Sequence, residues 1–186
     1  MIITPLSVLS GEGVLPLEQA MSHLRLDDPA NESSDVVAFR DAAIDWVEQH
    51  TGHSLQRRAF RWSGDAFAQA QDLLVRPLRS VIGVSYLVAD NLVAVPAGGY
   101  RIAGDGIAAL CAAPWPPVDG GVGCVQIDFE AGHDSNLPAP SALITAVKML
   151  MAHLYRNREA TSIGAAISEV PFGVSVLCQP YRSERV

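Results

Sequence analysis

The sequence predicts an α+β fold: a helical bundle with an inserted small β-subdomain and a flexible C-terminal segment. Three observations carry that expectation. Apolar residues recur at helical spacing near both ends of the chain, at Leu17, Ala20, Met21 and Leu24 and again at Leu143, Ala146, Val147, Leu150, Leu154 and Tyr155, with Met151 beside them. Between these ends, residues 55–129 break into short runs of β-branched and aromatic residues separated by Gly, Pro, Asn and Asp. Near the C-terminus, residues 161–168 contain Gly and Ala in the manner of a linker. The expected organisation is N-terminal bundle helices in 1–55, a β-rich insert in 56–136, a long bundle helix in 137–160, and a linker with a C-terminal segment in 161–186.

Each element has a local warrant. Pro16 is favoured in a first helical turn and opens the first helix, which Asp27, Asp28 and Pro29 end. Ser33 or Ser34 caps the second helix, with Asp35 complementing the dipole in its first turn. Val36, Phe39, Ala43, Trp46, Val47 and His50 form its broad apolar face, and Gly52 stops it. Strands are expected at 57–63, 73–75, 81–88, 92–95 and 122–129, with Ala89-Asp90-Asn91 as a hairpin turn. Arg76-Pro77 sets a bend before the strongest strand. The prolines of Ala113-Pro114-Trp115-Pro116-Pro117 remove donors from any ladder, so no interior strand runs there. Pro138 and Pro140 introduce the strongest helix, which is expected to reach about Arg158. Beyond it, Val174, Leu177, Cys178 and Tyr181 fall at helical spacing, and Pro171 and Pro180 hold any helix there to about two turns.

Composition excludes several classes. The chain has 186 residues, of which 49% are hydrophobic and 18% charged, too apolar for intrinsic disorder. No apolar run approaches the roughly 20 residues of a bilayer span, so no membrane partner is expected. Residues 1–10 carry no Lys or Arg ahead of their apolar stretch and do not read as a secretory signal. Three cysteines, Cys111, Cys124 and Cys178, lack CxxC spacing, which argues against a disulfide framework or a structural zinc site. Net charge is −7, with eight basic against 17 acidic residues in 1–136 and five against three in 137–186. An acidic body repels a polyphosphate, so tight nucleic-acid binding is disfavoured.

The search for chemistry gives no strong motif. There is no G-x-S-x-G elbow, and Cys111 and Cys124 sit in apolar or strand contexts where cysteine behaves as a small hydrophobe. His50 and His53 are separated by the helix-breaking Gly52, and Glu130-x-x-His133 is interrupted by Gly132, so neither pair presents a helical metal-binding face. Asp128, Glu130 and Asp134 could supply oxygen ligands, yet a strand end with solvated carboxylates explains them as well. Gly11-Glu12-Gly13, Gly104-Asp105-Gly106 and Gly120-Gly121-Val122-Gly123 match no phosphate loop and read as turns. The alternation Arg57-Arg58-Ala59-Phe60-Arg61-Trp62 reads as a half-exposed strand before it reads as a single-strand binding platform. No catalytic residue, metal site or cofactor is expected.

The order of segments resembles the head–tail connector (head-completion, or adaptor) proteins of long-tailed phages and gene transfer agents. Four stretches carry the resemblance: Pro16-Leu17-Glu18-Gln19-Ala20 through His23-Leu24-Arg25-Leu26-Asp27; Ala42-Ala43 through Val47-Glu48 and Thr51-Gly52; Arg76-Pro77-Leu78 with Ser80-Val81; and Phe129-Glu130-Ala131-Gly132 through Leu137-Pro138 and the long helix to His153-Leu154-Tyr155-Arg156-Asn157-Arg158-Glu159. The last continues to Pro171-Phe172-Gly173-Val174 and Pro180-Tyr181-Arg182, so the likeness spans about residues 15–182. The chain departs from the pattern at Leu15-Pro16, where the family often has a polar cap, and in the β-insert beyond Arg76.

The resemblance implies a ring, commonly of twelve copies of the chain, stacked below the portal protein and facing a stopper or tail-terminator protein on the tail side. Such a protein is made in the bacterial cytoplasm and resides at the head–tail junction of the particle. It has no catalytic activity, and its ring extends the channel through which DNA passes without specific binding. It further implies that the C-terminal segment, 161–186 here, reaches onto the portal. Leu177, Tyr181 and Arg182 are the candidate anchors, because aromatic and Arg residues dominate interface hot spots. The same apolar stripe could instead fold back onto its own bundle. Carboxylates lining the channel would repel phosphates, and the dense acids Asp27, Asp28, Glu32, Asp35, Asp41 and Asp45 are the candidates. Two other readings remain open: a small enzyme or ligand-binding protein using His133, Asp134 and Asp128, and a packaging accessory contacting DNA through Arg57, Arg58 and Arg61.

Overall fold

In a computed structural model, residues 1–26, 29–89, 91–110, 114–118, 120–157 and 171–182 are described, the side chains of 29–31 excepted. The chain divides into two compact units, one of Met1–Leu9 with Arg57–His133, the other of Ser10–Gln56 with Asp134–Val186.

Among its described residues the first unit is built on antiparallel strands, with one 3-10 turn at Ala97–Gly99. Its strands are β1 (Ile2–Pro5), β2 (Arg58–Gly64), β3 (Ala70–Asp72), β4 (Leu78–Val88), β5 (Asn91–Val95), β6 (Tyr100–Ala103), β7 (Gly106–Ala109) and β8 (Val125–Ala131). Five of them form a sheet in the order β1-β2-β8-β4-β5, and three form a second sheet in the order β3-β7-β6. The middle strand β8 explains the larger sheet. Val125, Ile127, Phe129 and Ala131 are all fully buried, while Gln126, Asp128 and Glu130 alternate onto the half-exposed face. Phe60 on β2 is in register with Phe129 and stacks on it, ring centroids 5.6 Å apart. Burying an aromatic pair of this kind contributes about 0.5–1.5 kcal/mol beyond its area. Leu73, Val84 and Ile107 complete this core.

The second unit is helical: α1 (Leu17–Leu24), α2 (Pro29–Thr51), α3 (Ser141–Arg156) and α4 (Phe172–Cys178), followed by one 3-10 turn at Gln179–Tyr181. On α3 the stripe Leu143, Ala146, Val147, Leu150 and Met151 is buried against Val36, Ala43, Ile44 and Val47 of α2. Gly52 ends α2 at φ +76°, a left-handed conformation that glycine enters without a Cβ clash, and its N–H reaches the Glu48 carbonyl at 2.8 Å. Val174 and Cys178 of α4 are fully buried in the same core, and Leu177 and Tyr181 pack half-buried against it.

Several expectations are corrected. A helical bundle with an inserted small β-subdomain and a flexible C-terminal segment does not describe this chain. It is a mixture of four helices and eight strands in two antiparallel sheets among the described residues, with the strands forming a full unit of their own. The sheets grew beyond expectation for two reasons. The N-terminal Ile2–Pro5 joins β2 as an edge strand, and β3, β6 and β7 are three or four residues long, too short to show alternation. The strand expected at 73–75 is irregular, with Leu74 at φ +60°, and the ladder lies just before it in β3. The second helix starts at Pro29, ahead of the Ser33 or Ser34 cap, and the first ends at Arg25 in a left-handed conformation. Residues 158–170, including the expected linker, and Asp90 of the expected turn lie outside the described residues.

Candidate functional site

On the half-exposed face of the large sheet, two of the three arginines of the DNA reading, Arg57 and Arg61, are drawn into cross-strand pairs. Arg61 is in register with Asp128 and grips it with two hydrogen bonds, Nε to Oδ1 at 2.7 Å and Nη2 to Oδ2 at 2.8 Å. That hydrogen-bonded carboxylate raises the Arg61 pKa further. Arg57 donates to Glu130 at 2.6 Å, and the Ser80 hydroxyl donates to the same carboxylate at 2.8 Å. These two donors hold the Glu130 carboxyl below its usual range. Arg58 lies over the Phe60 ring, 5.2 Å from its centroid. The bidentate Arg61–Asp128 pair and the Arg57–Glu130 pair support register, and their carboxylates offset the positive field that a phosphate would meet.

The polar cluster of the enzyme reading is likewise in structural use. Asp128 is the Arg61 partner, and the Asp134 carboxylate accepts the N–H groups of Asn136 and Leu137 at 2.9 Å, closing a turn. His133 is buried, at 7% exposure. His50 stacks on Trp46 at 4.5 Å, and His53 meets the Tyr181 ring edge-on at 5.9 Å. Among the described residues, no three His, Cys, Asp or Glu side chains lie close enough to hold a metal ion. Cys124 and Cys178 are buried, and burial pushes the Cys178 thiol up, away from the reactive thiolate. Cys111 is outside the described residues. No described helix is long and apolar enough to cross a membrane.

Of the acids expected at a channel, Asp27 and Asp28 lie outside the described residues. Glu32 accepts the Tyr155 hydroxyl, and Asp41 accepts Arg40 Nε at 2.9 Å. Asp35 and Asp45 stand exposed on the outer face of α2. Of the C-terminal anchors, Leu177 and Tyr181 are half-buried against the helical core, whereas Arg182 is exposed.

Two features were not anticipated from sequence. Arg40 lies in the middle of the apolar face of α2, 1% exposed, donating to Glu12 at 2.6 Å, to Asp41, and to the Leu15 carbonyl at 3.2 Å. Gly11 packs directly over it, since a Cβ there would stand 2.2 Å from Asp41 Oδ1 and 2.9 Å from Arg40 Nε. The second feature is Phe172 at the start of α4, 84% exposed beside Val176 at 44% and Met149 at 37%. Contiguous exposed apolar side chains, unlike singly scattered ones, are a feature that interaction surfaces share. The nearest sequence signal was Pro171-Phe172 itself, an aromatic one residue past a helix-opening proline.

No family model matches the chain, and no curated protein matches it. Solved structures do. The chain is similar to a chain in the neck of an empty gene transfer agent particle computed with C6 symmetry, at 29% identity and a TM-score of 0.80 over 100% of this chain and 97% of that one. It is similar to a chain in the neck of a native particle computed with C12 symmetry, at 28% identity and a TM-score of 0.77, again over 100% and 97%. A chain of the native gene transfer agent virion matches with the same coverage, at 28% identity and a TM-score of 0.78.

Proposed function

We propose that this chain is a structural subunit of the neck of a gene transfer agent or tailed-phage particle, an adaptor whose copies form a ring between the portal and the tail-side proteins. The observation that carries the proposal is the end-to-end likeness to a gene transfer agent neck chain, a TM-score of 0.80 at 29% identity. Agreement over the whole length matters more than its magnitude, because a shared superfold alone would leave unmatched insertions in one chain or the other. The twelvefold neck supports a dodecameric ring for this chain as well. The role is one of assembly, without catalysis or a cofactor, in a protein made in the bacterial cytoplasm and built into the head–tail junction.

Within that role, residues 161–186 are the proposed portal-docking segment, with Leu177, Tyr181 and Arg182 as its candidate contacts. Arg182 is the exposed member of the three. The ring extends the channel for DNA, and its wall draws carboxylates from the acids between Asp27 and Asp45, which keep phosphates from adhering. A stopper or tail-terminator protein meets the opposite face.

The test is imaging of the purified chain alone and mixed with a portal ring from the same gene cluster. A second ring of density stacked on the portal is the expected result. A chain that stays monomeric and ignores the portal at high micromolar concentration would overturn the proposal.

A further inference from the structure

We infer that the exposed apolar patch around Phe172, with the cations beside it on α3, is the surface by which each copy of this chain holds the outer face of α2 in the next copy around the ring. The inference rests on the ring reading and names the contact that makes it.

The patch has a built shape. Phe172 and Val176 are exposed and lie one helical turn apart on α4, and the Met149 methyl of α3 comes up beside Gly173 between them in sequence. Gly173 lies close to the Met149 methyl, where a Cβ would stand 3.0 Å from it. Beside the patch, an open groove of about 430 Å³ runs along α3 past Met149, Ala152 and Arg156 to Pro171. Lys148 lines the neighbouring groove toward α1. Lys148 and Arg156 are two turns apart on α3, roughly 12 Å at the helical rise, with Met149 and Ala152 between them.

The outer face of α2 has the complementary layout. Asp35 and Asp45 are exposed and roughly 15 Å apart along the axis, and the exposed residues between them on that face are the small Ala38 and Ala42. Two carboxylates flanking a shallow apolar saddle therefore match two cations flanking Met149 and Ala152, with the Phe172 knob beside them. An exposed aromatic set on small residues inside a charged rim is the usual make-up of an interface centre. Charge on the rim selects partner and register.

The two surfaces belong to opposite sides of the helical unit. Helices α2 and α3 pack against each other through their buried stripes, so their outer faces point away from one another. A closed ring needs this arrangement, in which two different and complementary surfaces on one chain make a heterologous contact. In twelvefold symmetry successive copies turn by only 30°, so surfaces on nearly opposite sides are the ones that meet. On this inference Asp35 and Asp45 engage the neighbouring copy instead of the channel.

The experiment uses the full chain carrying Ala42→Cys together with Phe172→Cys, assembled on the portal ring and oxidised, with each single variant and the unsubstituted chain as controls. Both positions are exposed, so the fold is not at risk. A covalent ladder rising to the closed ring, present only in the double variant, is the expected result. Rings seen by imaging with no ladder would overturn the inference while leaving the ring standing. Failure of the unsubstituted chain to form rings at all would overturn the ring reading and this contact with it. Independently, Arg156→Glu should raise the concentration needed for assembly about tenfold, and adding Asp45→Arg should restore it. Unchanged assembly in Arg156→Glu, or intact rings that no longer bind the portal in Phe172→Glu, would show that the patch serves another partner.

Discussion

Arg40 occupies a position that hydrophobic periodicity assigns to an apolar side chain, between Val36 and Ala43 on the inner face of α2. It is tolerated there because every polar end of the guanidinium that the core covers meets an acceptor: Glu12, Asp41 and the Leu15 carbonyl. Glu12 in turn accepts the Leu17 N–H at 3.1 Å, so one carboxylate caps α1 and ties it to α2. Arg40→Ala removes the tie and the packing of the stem, and should cost about 2–4 kcal/mol in urea unfolding. A loss under 1 kcal/mol would show the network to be incidental. Titration gives a second check at this scale. Burial, with the nearby Arg182 charge, lowers the His50 pKa below 6.5. The folded state therefore binds that proton less tightly than the unfolded chain, and the His50 contribution is complete above pH 6.5 and lost as pH falls through it. Glu12, lowered by the Leu17 N–H and Arg40, contributes above 4.5 and is lost below. Unfolding midpoints of the native chain and His50→Gln should converge as pH falls below 6.5, then fall together below 4.5. Parallel curves over the upper interval would contradict the His50 assignment.

At the scale of elements, legibility followed length. Helix α3 was readable because sixteen residues give its stripe more than four turns: of the positions expected on it, Leu143, Ala146, Val147 and Leu150 are buried, with Met151 beside them, while Leu154 and Tyr155 are half-buried. Leu150→Asp would bury an unpaired carboxylate in the middle of that stripe and should unfold the helical unit, visible as loss of helical circular dichroism. Retention of native helicity would mean that the stripe is not core. Strand β8 was readable in its alternation, with the Arg61–Asp128 and Arg57–Glu130 pairs following from register once β2 lay beside it. Strands β3, β6 and β7 left no signal, because a run of three or four residues cannot display a period of two. The start of α2 was misplaced by the local preference of Ser for caps. Pro29 is an equally good helix opener, and the tertiary contacts of Val36 and Phe39 reward the longer helix.

The whole molecule is two discontinuous units, with the chain passing between them after Leu9, Gln56 and His133. The helical unit is closed by its last described segment. Removing everything after residue 170 would strip away fully buried Val174 and Cys178 and half-buried Leu177 and Tyr181. Burial of these side chains is worth roughly 4–6 kcal/mol in transfer terms, so the truncated chain should unfold at markedly lower denaturant than the full chain. Equal midpoints would mean that α4 adds nothing to the core. Docking of the C-terminal segment is therefore better probed by single substitutions than by deletion.

By itself the sequence determined the helical stripes, the positions of the long strands and the lack of a strong catalytic motif, because each is written in local periodicity or in spacing along the chain. A likeness to gene transfer agent neck chains was also legible, carried by the order of several weak motifs. Tertiary structure alone decided that Ile2–Pro5 joins a sheet with residues more than fifty positions away, that Arg40 is a core residue, and that Phe172 faces outward while Val174 and Cys178 face in. The physical reason is the same in each case. Register between distant strands, satisfaction of a buried charge and the choice of which side of a short helix is covered depend on the partner that arrives from elsewhere in the chain, and no local pattern records that partner.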